Sequence, residues 1–303
     1  MYLALLLGAL MTLASCSHLF FYPDSRTHYP ALRSQNPPQV IRFASLDGTT
    51  LDSWFFQNDP ALGTVVQFHG NAQNISSHFL SLVWLWEEGF NFFTFDYRGY
   101  GQSEGRPDIP GVTEDGVAAL IQGLELHQKH SPDGLFVVIG QSLGGAIALR
   151  ALELRPDLAQ QVDLIVMDSS FASYQEVAAS ALRSTWVTWL FSPLAYILIS
   201  DRHSEKNFLE NTTTPILVIH DRNDPVVSFK LGEQIYSRAK NPIGLWAPED
   251  GQHIGAFIDS TSPFREKLLD LLNELARTTK ANPHPDHLPG QISPPLHPPS
   301  SKD

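Results

Sequence analysis

This chain is short of cysteine and of positive charge. Its single cysteine, Cys16, among 303 residues rules out an internal disulfide and any cysteine-based metal site. Lys and Arg number 20 against 32 Asp and Glu, a formal charge of −12. Nucleic-acid binding needs clustered cations that displace phosphate counterions, and none are clustered here, so no nucleic-acid partner is expected. No periodic repeat occurs. The N-terminal apolar run, Tyr2 to Ala14, is too short to cross a bilayer as a helix. What is present is a hydrophobic content of 43%, enough for a large core, and a length that suits one α/β domain.

The Tyr2 to Ala14 run has the length of a signal-peptide core, and it ends in Leu13-Ala14-Ser15-Cys16. That ending resembles the lipobox of bacterial lipoproteins, in which the cysteine is diacylated and becomes the new N-terminus. The resemblance implies export, a signal peptide over residues 1–15 and a membrane anchor at Cys16. Ser17, rather than Asp, follows the cysteine, which in the proteobacterial sorting rule favours the outer membrane, facing the periplasm. An uncleaved N-terminal anchor and an ordinary cleaved signal are the competing readings.

From residue 38 onward the pattern alternates. Val40–Ala44 and Leu51–Phe56 flank an Asp47-Gly48 turn signal and read as an antiparallel hairpin. Six further apolar strands follow, at 64–69, 91–96, 135–140, 163–168, 215–220 and 243–247. Helical segments at 75–88, 112–130, 142–154, 229–239 and 264–277 separate them. Such alternation predicts an eight-stranded, mostly parallel sheet with helices on both faces. Residues 171–211 break the rhythm: they are too long for a connection and too apolar for a solvated loop, with Trp186, Trp189, Phe191 and Tyr196 among them. Two readings stand, a helix pair packed on the domain and a cap over the active site that meets an apolar substrate group. The tail, 279–303, alternates Pro with His, Ser and Asp and is expected to be disordered; its histidines are not read as a metal site. Residues 16–37 read as anchor and linker, leaving 38–278 as the folded domain.

Gly140-Gln141-Ser142-Leu143-Gly144 sits where the strand 135–140 gives way to a helix. This is the G-x-S-x-G nucleophile elbow in the strand-turn-helix setting that gives the pattern meaning. The glycines are needed because the turn forces the serine into a sparsely populated conformation, in which a Cβ at either flank would collide. Ser142 then stands at a helix N-terminus, where the amide of Leu143 faces a developing oxyanion. A serine alcohol is a weak nucleophile, so a base and an orienting acid must follow, at the ends of later strands. Asp224, after the next-to-last strand, and His253, after the last, take those places. Asp168 and Asp221 are the rival acids, and His69 is the rival base. Ser103, which has no elbow, is not a nucleophile. Asp96 and Arg98 read as structural, holding their loop by hydrogen bonds.

Over roughly residues 38–277 the chain resembles the α/β-hydrolase superfamily. Phe68-His-Gly-Asn-Ala-Gln-Asn74 and Phe95-Asp-Tyr-Arg-Gly-Tyr-Gly-Gln-Ser-Glu-Gly105 resemble its Bem46-like branch, which includes the eukaryotic ABHD12, ABHD13 and ABHD17 groups and many bacterial hydrolases. The resemblance implies Ser142 as nucleophile, His253 as general base and acid, Asp224 as orienting acid, and Asn71 as the second oxyanion amide beside Leu143. It implies no metal and no organic cofactor. A serine at the elbow points to acyl transfer and hydrolysis, and the apolar insertion with a membrane anchor favours acyl-ester, thioester or lipid-like substrates. An aminopeptidase-like or acylpeptide activity is the alternative, and a silent scaffold that binds a partner is a third reading.

Overall fold

Side chains alternate across a strand, so a strand apolar on both faces must be covered on both. Five of the strands are buried along their whole length: β3 (Gly63–Phe68), β4 (Asn91–Phe95), β5 (Leu135–Gln141), β6 (Leu164–Asp168) and β7 (Ile216–Ile219). They form the middle of one eight-stranded sheet in a computed structural model that describes residues 20–31, 35–183 and 188–281. Cys16 and the apolar leader, Trp186, and the tail beyond residue 281 lie outside the described residues. The sheet order is β1-β2-β4-β3-β5-β6-β7-β8, with β1 (Gln39–Ala44) and β2 (Thr50–Phe56) antiparallel and β3 to β8 parallel; β8 is Pro242–Trp246. This is the expected hairpin followed by six parallel strands, with bounds that differ by a residue or so.

The two faces of the sheet carry two cores. Val66, Phe68, Phe93, Phe136 and Val138 face α3 (Ile109–His130) and α4 (Leu143–Leu154), whereas Val65, Phe92, Val137 and Ile139 lie in the core that contains Leu268 and Leu272 of α10 (Pro263–Ala281). Neighbouring residues of one strand fall in opposite cores, which is the period of two made visible.

The segment expected as one helix over 75–88 is broken. It forms α1 (Ile75–His78), a 3₁₀ turn (Phe79–Ser81) and α2 (Trp84–Glu87). The cause is a side chain inserted into the ladder: Gln67 Nε2 of β3 donates to the His78 carbonyl at 3.0 Å, and Ser81 Oγ donates to it at 2.8 Å. That carbonyl is drawn away from the helix, and Leu82 N–H bonds to Phe79 O instead. The short helix α5 (Pro156–Ala159) precedes β6.

Between β6 and β7 the insertion folds as α6 (Tyr174–Arg183), a 3₁₀ turn (Trp189–Phe191), α7 (Ser192–Leu198) and α8 (Phe208–Asn211). α6 buries Tyr174 and Ala179, α7 packs against α6 and buries Ser192 and Ala195, and α8 buries Phe208 and Leu209 in the main core. Asp201 closes the insertion by accepting from Ser173 Oγ at 2.7 Å and from Ser204 Oγ. The remaining helix, α9 (Phe229–Arg238), covers β7 and β8.

Candidate active site

Parallel strands all end at one edge of a sheet, and the loops at that edge converge. Ser142 follows β5, Asp168 ends β6, Asp224 follows β7, His253 follows β8 and Asn71 follows β3, so these five residues meet there.

Ser142 has φ 51° and ψ −121°, a left-handed conformation that costs an L-residue about 1–3 kcal/mol. Two close approaches explain its flanks. A Cβ on Gly140 would lie 2.4 Å from Gly145 Cα, and one on Gly144 would lie 2.1 Å from the Phe68 carbonyl oxygen of β3. The serine main chain is fixed from both sides: its N–H donates to Asp168 O at 2.9 Å, and Ser170 Oγ donates to its carbonyl at 2.7 Å. Leu143 is the first residue of α4, so its N–H has no partner within the helix and the positive end of the dipole lies beside Ser142.

His253 Nδ1 lies 2.8 Å from Asp224 Oδ2. A carboxylate only accepts, so Nδ1 carries the proton and Nε2 is left as the basic nitrogen. The Asp224 carboxylate is fully buried and His253 is 17% exposed. Burial pushes the Asp224 carboxyl up, but the hydrogen bond and charge of His253 and the amides of Val226 and Val227, at 2.8 and 2.9 Å, together hold it below its ordinary value. The rivals are engaged elsewhere. Asp221 accepts from Asn223 N–H at 2.7 Å and Gly251 N–H at 3.0 Å, so it shapes the loop that carries His253. Asp168 accepts from Gln141 Nε2 at 2.9 Å, and burial raises it to about 6.

The β6 end ties the serine and histidine loops together: Asp168 O takes the Ser142 N–H, and the next residue, Ser169, takes the Ile254 N–H on Oγ at 3.1 Å. Gly70 marks the convergence, because a Cβ there would stand 3.1 Å from Ile254 Cδ1 and 3.5 Å from Ser142 Cβ.

Asn71, beside Gly70, holds its loop with its side chain. Its Oδ1 accepts from Tyr22 N–H at 3.0 Å, Ala72 N–H at 2.8 Å and Tyr100 OH at 2.8 Å. The Asn71 main-chain N–H bonds to no other described residue. His69 is fully buried, with Nδ1 2.7 Å from Gly70 O and Nε2 3.4 Å from Asp96 Oδ1, so it braces this loop and has no link to Asp224. His78 stacks on it at 5.1 Å and is held down to about 3 by burial and by the neighbouring His69.

Residues 59–211, half of the chain, match the family described as Hydrolase_4, serine aminopeptidase, S33. The uncharacterized protein YfhR of Escherichia coli K12 is 33% identical over 262 residues, covering 84% of this chain and 86% of the relative. The lysophosphatidylserine lipase ABHD12 of Danio rerio is 30% identical over 190 residues, 60% of this chain and 48% of that protein. Among solved structures, the esterase Pf2001 of Pyrococcus furiosus superposes with a TM-score of 0.63 at 19% identity, covering 86% of this chain and 97% of that one. The chain belongs to the α/β-hydrolase superfamily, in its serine aminopeptidase S33 family.

Three features of this hydrolase escape a reading of its sequence. His220, buried at the end of β7, donates from Nε2 to Val227 O at 2.8 Å and lies 3.6 Å from Asp224 Oδ2, bracing the acid loop from behind. Ser169 and Ser170 brace the histidine and serine loops, yet in sequence they are ordinary polar residues after a strand. Arg98 and Asp96 hold their loop by hydrogen bonds as expected, but through partners the sequence does not show: Arg98 reaches Asp115 of α3 at 2.9 Å and Asp47 of the hairpin turn at 2.8 Å. Asp96 receives the Ile75 N–H at 2.8 Å and faces His69. Ser103 Oγ donates to Asp96 O at 2.7 Å and accepts from Asp52 N–H, a structural use.

Proposed function

We propose that the protein is a serine hydrolase of carboxylic esters or thioesters, acting through Ser142, His253 and Asp224 on acyl or lipid-like substrates. The observation that carries the reading is the 2.8 Å bond from His253 Nδ1–H to a buried Asp224 carboxylate, at the strand edge where Ser142 stands on a strained elbow. His253 Nε2 takes the Ser142 proton as Oγ attacks the acyl carbon, and the imidazolium so formed is stabilised by Asp224. The oxyanion that develops is met by the amides of Leu143 and Asn71. The leaving group departs with the proton returned by His253. Water, activated by the same ring, then releases the acid from Ser142. The sequence of Cys16 and its apolar leader supports an exported, lipid-anchored protein of the bacterial envelope.

The experiment is hydrolysis of p-nitrophenyl esters from short to long acyl chains by the full chain beside Ser142→Ala. The reading expects the variant to lose on the order of 10⁴-fold or more in kcat. The family's description favours one second reading, an aminopeptidase-like activity. Turnover of aminoacyl amides in preference to esters, abolished by the same substitution, would select it. Equal inertness of both proteins on both substrate sets would leave the scaffold. Incorporation of labelled palmitate in a bacterial host, lost in Cys16→Ser, tests the anchor.

A further inference from the structure

The face of the insertion that points away from the body is apolar and bare. Ile197 is 74% exposed, Leu190 65%, and Trp189 and Phe191 54% each, with Leu194 and Tyr196 above 40%. Residues 184–200 contain no Asp, Glu, Lys or Arg, in a protein whose formal charge is −12. A contiguous exposed apolar patch of this kind calls for a partner. Two properties of the chain say which.

The first is where the leader joins. Phe20, the first described residue, packs its ring edge-on against Tyr174 of α6 at 5.3 Å. The following residues strap onto the active-site edge: Tyr22 N–H bonds to Asn71 Oδ1, Pro23 pairs with Gln73, and Asp24 O takes the Gly101 N–H at 3.0 Å. Cys16 stands four residues before Phe20, within about 14 Å at full extension. The chain that leads from Cys16, the expected lipid-anchor position, therefore enters the folded body at the insertion and at the active-site edge, not at the far end of the sheet. The second is composition. Trp and Tyr among aliphatic side chains, without charge, match the layer between lipid headgroups and acyl chains.

We propose that the Trp189–Leu198 face is a membrane-docking surface, which seats the insertion in the outer layer of a lipid bilayer and turns the edge bearing Ser142 and His253 toward the lipid. The occupant is the bilayer. A second copy of the chain would not account for a lipid-anchor position only four residues before the contact of Phe20 with the same region. Docking goes beyond the hydrolase reading, because it is measured without turnover.

The test uses the full chain carrying Cys16→Ser, so that one introduced cysteine takes a thiol-reactive fluorophore. Ile197→Cys and Leu190→Cys report from the proposed face. Lys240→Cys, exposed just before β8, reports from the opposite edge of the sheet. Each labelled protein is mixed with phosphatidylcholine vesicles, with and without lipids brominated on their acyl chains. Docking predicts at least about a twofold loss of emission at 197 and 190, and none at 240. No vesicle association overturns it, and so does equal quenching at all three positions. If the leader anchors the chain while the face stays in water, neither face label is quenched, which also overturns it. A face label shielded from aqueous iodide in lipid-free protein overturns it in favour of a covering leader or, where the mass doubles, a second copy.

A second readout links docking to turnover. Leu190→Asp with Ile197→Asp is expected to keep the hydrolysis of a short soluble ester within about twofold and to lose about tenfold or more on an ester carried in vesicles. Equal turnover of both substrates by this variant overturns the functional part. If the wild type turns over neither, the hydrolase reading fails and the quenching result still decides docking.

Discussion

Asp168 and Asp224 stand at the ends of neighbouring strands of one sheet, and both have buried carboxylates, yet their surroundings differ in kind. Asp224 gathers three donors, the His253 ring and the amides of Val226 and Val227, and its carboxyl is held below the ordinary value despite burial. Asp168 has one side-chain donor on Oδ2, from Gln141, and no partner on Oδ1, so burial wins and carries it to about 6. Burial opposes charge in both. What separates them is the number of N–H groups that the local chain aims at the carboxylate, and β7 is followed by a loop that turns back on it while β6 is not.

The largest expected effect separates them directly. Asp224→Asn should lower kcat by about 10⁴-fold, because an amide in that place leaves His253 with the wrong tautomer. Asp168→Asn should stay within about tenfold of wild type in the same p-nitrophenyl assay. A reversed pair of results would exchange their roles. Asp221 lies between these extremes. It bonds to the Gly251 amide rather than to the ring, so Asp221→Asn should cost about 10- to 100-fold through a displaced His253 loop. Rate loss with an unchanged pH profile would mark it as a positioning residue.

Asp168 has its own signature in stability. Its folded pKa, about 6, lies above the ordinary 3.8 of a free Asp, so between those pH values the folded protein holds a proton that the unfolded chain has released. Stability is therefore lost as pH rises through that window, and the full penalty is present above pH 6. Asp168→Asn should thus gain on wild type from pH 4 to pH 8, by about 2–3 kcal/mol at most, in urea melts at the two pH values. A constant difference would contradict it. The smallest effect is expected at His220→Gln. Loss of its bond to Val227 O should cost about 1 kcal/mol in the same melts, with kcat reduced far less than in Asp224→Asn.

Element order was largely legible in the sequence because strand and helix patterns are local. Leu135–Gln141 and Leu164–Asp168 are apolar at every position but the last, as strands covered on both faces must be. The break in the 75–88 helix was not legible, because Gln67, which diverts the His78 carbonyl, belongs to a different strand. Of the candidate site, the elbow was readable from its glycines, since the contacts they permit lie within a few residues or on the adjoining strand. The bracing by His220, Ser169 and Ser170 was not, because a polar residue at a strand end reads as a turn residue until its neighbours across the sheet are known. The insertion shows the same limit: its apolar content was plain, but that its largest side chains face outward follows only from which small residues, Ser192 and Ala195, it turns inward.

The sequence by itself determined the alternation of strands and helices, the hairpin at the start and the strained serine, since each depends on side-chain period, turn chemistry and the missing Cβ of glycine at neighbouring positions. Which aspartate meets His253, and which way the bare face of the insertion looks, were decided by the tertiary structure alone. Sheet order places β6 between β5 and β7, so Asp168 is spent under the elbow while the loops after β7 and β8 are left side by side. Distances between loops that are far apart in the chain are set by how strands pair, and no local pattern carries that information.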